Sequence, residues 1–179
     1  MALPFSGSQN VPPITELLTA CRRSAVHLEM RDVYGVDGEV EPFAQWKAGT
    51  WTAEADRADR SHWFEIVAEA VDRGVEMRRA RIVSEPVTEY IRFEHSGTPL
   101  NIAAGEQVRW LPRRKASDIA LPGNDLWLFD DQLIRFGHFT GDGALAGHEL
   151  CDDPAVVKLC ATAFDSVWER ATPHEEFKV

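Results

Sequence analysis

The stretch from Val75 to Leu111 limits the folds open to this chain more than any other, because it spells strand, helix and strand in about 37 residues. Val75 to Val83 reads Val-Glu-Met-Arg-Arg-Ala-Arg-Ile-Val, a β-type run. Ser84 then offers a capping hydroxyl, Pro86 a first-turn proline, and Val87, Tyr90 and Ile91 an apolar stripe at helical spacing. Thr98-Pro99 opens a further short helical turn that ends at Gly105, and Gln107 to Leu111 is a second strand stopped by Pro112. A βαβ unit implies parallel strands joined by a right-handed crossover, so the chain must build a sheet with helices on it.

The flanking sequence supplies the rest of such a layered fold. Ile14, Leu17, Leu18, Cys21 and Ala25 repeat every three or four residues, as in an amphipathic helix, and His27 to Tyr34 reads as a strand. Glu41 to Gly49 predicts one short helix, Thr50 to Arg60 is polar and irregular, and Ser61 caps a helix carrying Trp63, Val67, Ala70 and Val71 to its end at Gly74. Asp125 to Asp130 and Leu133 to Phe139 predict a hairpin turning at Asp131-Gln132, with a further strand from Ala144 to Leu150 after Asp142-Gly143. Asp153 and Pro154 start a final helix with a stripe running from Val156 through Cys160, Phe164 and Trp168 to Ala171, which places Cys160 in the core. No repeat or linker divides the sequence. The expectation is one α/β (α+β) domain over residues 1–179 with a mixed sheet, a βαβ unit and C-terminal hairpins, preceded by a flexible tail over residues 1–11.

Charge narrows the function. The chain carries a net −10, yet Val75 to Lys115 holds eight Lys/Arg against five Asp/Glu, a basic island between two acidic regions. An acidic body repels polyanions, which argues against sequence-independent nucleic-acid binding, whereas an island can pair internally or hold one small anion. Three cysteines, no apolar run of membrane length and no leader-like N-terminus lead to the expectation of a cytoplasmic protein with no membrane association.

Recognisable catalytic signatures of P-loop enzymes, zincins, dithiol oxidoreductases and α/β-hydrolases are missing, and no cofactor is expected. Gly141, Gly143 and Gly147 lie between strand-like flanks and read as a hairpin turn rather than a phosphate loop. His138, His148 and Cys151 have the donor types for zinc without a compact spacing; His138 reads as a strand residue and His148 as a surface one. The alternation of Val75 to Val83 puts Met77, Arg79, Arg81 and Val83 on one face and Glu76, Arg78, Ala80 and Ile82 on the other. Buried guanidinium groups need partners, and Glu85, Glu89, Glu94, Glu106, Asp125 and Asp130 are the candidates. The functional alternative is a ligand site of Arg79, Arg81, Ser84, Glu85, Arg109 and Arg113 at the carboxyl ends of the parallel strands, where a small phosphate or carboxylate could dock.

The runs Arg78 to Pro86, Ala104 to Arg113, Leu121 to Asp131 and His138 to Gly143, with His27 to Tyr34 and Phe164 to Trp168, resemble an actinobacterial domain-of-unknown-function family over nearly the whole chain. Members of that family often neighbour helix-turn-helix regulators, so the resemblance implies a regulatory, partner-binding role, with such a regulator as the protein partner. The strand Gly105 to Pro112 and the following hairpin strand ending in Phe129-Asp130 are also similar to one half of the phospholipase-D-like fold. That family's His-x-Lys-x-x-x-x-Asp pattern, anchored on Asp130, puts Asp125 at the Lys position and Gly123 at the His position, so the resemblance implies a degenerate copy. The leading expectation is therefore a non-enzymatic regulatory or interaction protein that engages a protein partner or a small anion. The alternative is a phosphoester hydrolase or transferase using Arg79, Arg81, Arg109 and Glu85, with His95 carrying a proton.

Overall fold

Three parallel strands sit at the middle of a seven-stranded sheet, and antiparallel strands extend it on both sides. The computed structural model describes residues 11–179; the tail expected over residues 1–11 falls almost entirely outside the described residues. In chain order the elements are α1 (Ile14–Ala20), β1 (Ser24–Glu29), α2 (Asp37–Ala48), α3 (Ala53–Asp59), α4 (Ser61–Asp72), β2 (Glu76–Val83), α5 (Glu89–Ala103), β3 (Gln107–Pro112), β4 (Asp125–Phe129), β5 (Leu133–Phe139), β6 (Leu145–Cys151), α6 (Pro154–Arg170) and β7 (Thr172–Pro173), with a 3-10 turn at Arg113–Ala116. The strand order is β6-β5-β4-β1-β2-β3-β7. β1, β2 and β3 are parallel, as the βαβ unit requires, and the remaining pairings are antiparallel.

The alternation of each strand sorts its side chains between two apolar layers. Val26, Leu28, Ala80, Ile82, Leu111, Leu126, Leu128 and Ile134 face α6 and meet Val157, Cys160, Phe164 and Val167. On the opposite face, Ala25, Met77, Trp127 and Phe129 pack with α1 and α4 through Leu18, Val67 and Ala70. Further along that face, Val83, Val108 and Trp110 meet α5 through Tyr90, Ile91 and Phe93. Between these last two clusters the sheet surface is polar.

Several boundaries depart from the sequence expectation, each for a tertiary reason. α1 stops at Ala20, and β1 starts at Ser24 rather than His27, because the Asp130 carboxylate accepts hydrogen bonds from the amides of Arg22 (3.0 Å), Arg23 (2.7 Å) and Ser24 (3.1 Å). Ser84 does not cap α5. Its amide and hydroxyl donate to the Asp32 carboxylate at 2.7 and 2.6 Å, and Thr88 Oγ1 caps the helix by accepting from the Ile91 amide at 3.1 Å. α5 runs through Pro99 without the restart expected at Thr98. Residues expected to be irregular form α3 behind its Thr52 cap, and Ser61 lies inside α4 rather than before it. The β4–β5 turn takes positive φ at Asp130 and Asp131, a conformation that short Asp side chains tolerate.

Candidate functional site

The polar sheet surface forms the floor of a cavity of about 310 Å³. Strand register explains its make-up. One row across the sheet runs Arg135, Trp127, His27, Arg79, and the next holds His148, Gly137 and Asp125, followed by Glu29 and Arg81. Side chains two residues apart share a face, so these two rows project together toward the helices. The roof comes from Ile14, from Tyr34 and Val36 in the β1–α2 loop, from Glu39 of α2, from Arg60 and Trp63 beside and within α4, and from Tyr90 and Glu94 of α5. A bridge between Gly35 and Ala144, with the Gly35 amide donating to the Gly143 carbonyl at 2.9 Å, ties that loop to the β5–β6 turn.

The arginines of β2 are held by carboxylates from three elements. Arg79 is paired with Glu106 (2.8 Å) and Glu29 (3.0 Å), and Arg81 with Glu29 (2.8 Å) and Glu94. The Glu29–Arg81 contact is close but lacks hydrogen-bond alignment, leaving Glu29 Oε2 and Arg81 Nε without a hydrogen-bond partner. Burial works against both guanidinium charges, but the surrounding carboxylates outweigh it and keep both arginines ionised. His27 is stacked on Trp127 with ring centroids 4.2 Å apart. Burial, reinforced by Arg79, Arg81 and Arg135, holds its pKa well below the usual histidine value, so the ring is neutral.

Two carboxyl groups in the wall are pushed the other way. Burial and the nearby Glu94 raise Glu39 to about 7 although it accepts from the Tyr90 hydroxyl, and burial raises Asp125 to about 6 although it accepts from the Tyr34 hydroxyl and, at 3.0 Å, from the Met30 amide. Arg135 contrasts with its neighbours. Its Nε is buried with no hydrogen-bond partner, and burial alone lowers its pKa. The cavity thus combines aromatic walls with ionisable groups whose charge depends on what occupies the space.

Residues 13–179 match the family described as Domain of unknown function (DUF6879). The chain belongs to the DUF6879 family. No curated protein sequence matches it. Among solved structures, this DUF6879 chain is similar to a phospholipase D family member, Nuc from Salmonella typhimurium, with 10% identity, 89% of this chain and 86% of that chain covered, and a TM-score of 0.48. NucT from Helicobacter pylori gives 11% identity, 89% and 87% coverage and a TM-score of 0.47. TrmBL2, an archaeal chromatin protein, gives 16%, 88% and 48%, also with a TM-score of 0.47.

In this DUF6879 domain the six residues expected to form one ligand site occupy four places. Arg79 and Arg81 face the cavity. Ser84 and Arg113 meet at the carboxyl end of the parallel strands, where Arg113 donates to Ser84 Oγ (3.1 Å) and lies 3.6 Å from Asp32, while Glu85 pairs at the surface with Arg114 (2.7 Å). Arg109 lies on the opposite face of the sheet, stacked 4.5 Å over Trp168 and donating to its carbonyl. His95 also points elsewhere, with its ring 4.3 Å from that of His174. Sequence reasoning missed Glu29, Glu39, Tyr34 and Arg135, which come from separate elements, and it placed His148 on the surface although His148 lines the cavity. His138 pairs instead with Glu149 at 3.2 Å. Among the described residues, no cluster of three or more His, Cys, Asp or Glu side chains is placed to hold a metal, and no helix is long and apolar enough to cross a membrane.

Proposed function

We propose that this domain is a non-enzymatic recognition module that binds a small polar molecule in the sheet-face cavity and relays its presence to a protein partner, a helix-turn-helix regulator being the kind the sequence suggests. The observation that carries this reading is the cavity itself, where His27 Nδ1 and Arg135 Nε lack hydrogen-bond partners beside Trp127, Tyr34 and Tyr90. A buried polar atom without a partner costs about 1–3 kcal/mol, and a ligand that satisfies both of them recovers that cost on binding. The test is ligand-observed NMR with a library of small polar fragments at millimolar concentration, against the wild-type protein and a cavity-filling Val36→Trp variant. A set of mutually competing fragments that Val36→Trp no longer binds is the expected result. Absence of binding to the wild-type protein overturns the reading.

The geometry gives less support to a phosphoester hydrolase or transferase. Arg79 and Arg81 already carry carboxylates, and Arg109 and His95 lie away from them. A substrate phosphate would have to displace those carboxylates at a large electrostatic cost. Turnover of a generic phosphodiester that disappears in Arg81→Ala would displace the binding reading.

A further inference from the structure

The charges of the cavity are separated by kind. At its β5–β6 end, Arg135 makes no ion pair among the described residues, its Nε is buried without a hydrogen-bond partner, and His27 and His148 stand beside it. A guanidinium in that state is a fork of unused donors matched to a carboxylate. At the α2–α5 end the balance reverses. Glu29, Glu94 and Glu106 already share Arg79 and Arg81, Arg60 in the wall is paired with Asp56, and Asp125 feels Arg31 without an ion pair to it. Among the described residues Glu39 and Asp125 are therefore left without an ion pair, and Tyr90 and Tyr34 stand against them. Carboxylates crowded beside aromatic rings favour a protonated amine.

Register sets the distance between the two ends. Arg135 is directly opposite Trp127, and Asp125 lies two residues from Trp127 on the same strand and face. Sheet geometry puts the Arg135 and Asp125 Cα atoms about 8 Å apart, a gap that a few carbon atoms span once the side chains reach inward. We propose that the ligand is a small amino-acid-like zwitterion, its carboxylate on the Arg135 guanidinium and its ammonium among Glu39, Glu94 and Asp125. This rests on the cavity being a ligand site and adds which chemistry it selects. A lone anion meets the excess carboxylates and a lone cation leaves Arg135 unsatisfied, so each half of the site rejects the molecule that suits only the other.

Calorimetric titration tests this with 4-aminobutanoate and the uncharged-side-chain L-α-amino acids, tested singly, against the matched monopoles butanoate and butylamine. The expected result is at least one zwitterion binding about tenfold or more tightly than either monopole, in line with one charge-assisted contact. Arg135→Gln is expected to remove the advantage over butylamine, and Glu39→Gln the advantage over butanoate; Arg135→Lys, which keeps the charge without the fork, replaces Arg135→Gln if that variant does not fold. A monopole that binds as tightly as every zwitterion overturns the proposal, as does the absence of zwitterion binding. If polar fragments still bind in a manner sensitive to Val36→Trp, only the zwitterion assignment falls. If they do not, the cavity reading falls with it.

Discussion

Glu106 shows how the basic island is made safe. Its side chain is fully buried, receives Arg79 Nε and Asn101 Nδ2, each at 2.8 Å, and so lets a guanidinium sit beneath the helices. Glu106→Ala leaves Arg79 with Glu29 alone, and urea unfolding should show a loss of about 3–5 kcal/mol, the cost of breaking a buried pair from one side. Asp130 does comparable work for the main chain. Burial opposes its ionisation, but the amides of Ser24, Arg23 and Arg22 outweigh burial and hold its pKa below the ordinary carboxylate value. A depressed folded-state pKa gives stability that is present above the unfolded value and lost as pH falls through the folded one. Asp130→Ala should therefore destabilise the protein at neutral pH, and the gap to wild type should close under acid unfolding. The need for partners was legible from the arginines on both faces of β2, and Glu94 and Glu106 were among those expected. Glu29 was not, because it lies on a strand whose neighbour across the sheet the local sequence does not specify.

Elements with their own local signals followed the sequence closely, and those positioned by distant groups did not. The βαβ unit, the β4–β5 hairpin and α6 behind Asp153 all carry capping or turn chemistry within a few residues. β1 and the start of α5 were misplaced because their boundaries are set by Asp130 and Asp32, remote in sequence. The reassigned cap gives a direct check. Thr88→Ala should cost about 1 kcal/mol, whereas Ser84→Ala should leave α5 helicity unchanged while loosening the contact with Asp32, as read by thermal melts and amide exchange. At the end of the same helix, Gly105 has φ +102 and an added Cβ would approach the Val71 side chain to 3.0 Å. Gly105→Ala should destabilise by about 1–2 kcal/mol through both strain and contact. The cavity was the least legible feature, since its lining is drawn from nine helices and strands and the loops between them, and no two of its neighbouring wall groups form a sequence motif.

At the scale of the whole molecule, two wall carboxyls link acidity to stability and occupancy. Glu39 faces Tyr90 and Glu94 of α5, Arg81 of β2 and Glu29 of β1, and Asp125 faces Tyr34, Glu29 and Arg31. Their raised folded-state values mean that the stability they contribute is fully present below the ordinary carboxyl range and is lost as pH rises through about 6 for Asp125 and about 7 for Glu39. An ammonium ligand prefers both groups ionised, so its affinity should rise over the same interval, with protons released on binding that calorimetry in buffers of different ionisation enthalpy can count. The order of the strands has a separate consequence. Val26 of β1 pairs with Arg78 on one side and Leu128 on the other, so β1 becomes the middle of the sheet and meets its second neighbour only about 100 residues further along the chain. Such long-range pairing slows folding and leaves one edge of an apolar strand uncovered until β4 docks, so the order of assembly sets how long that edge is open to other chains.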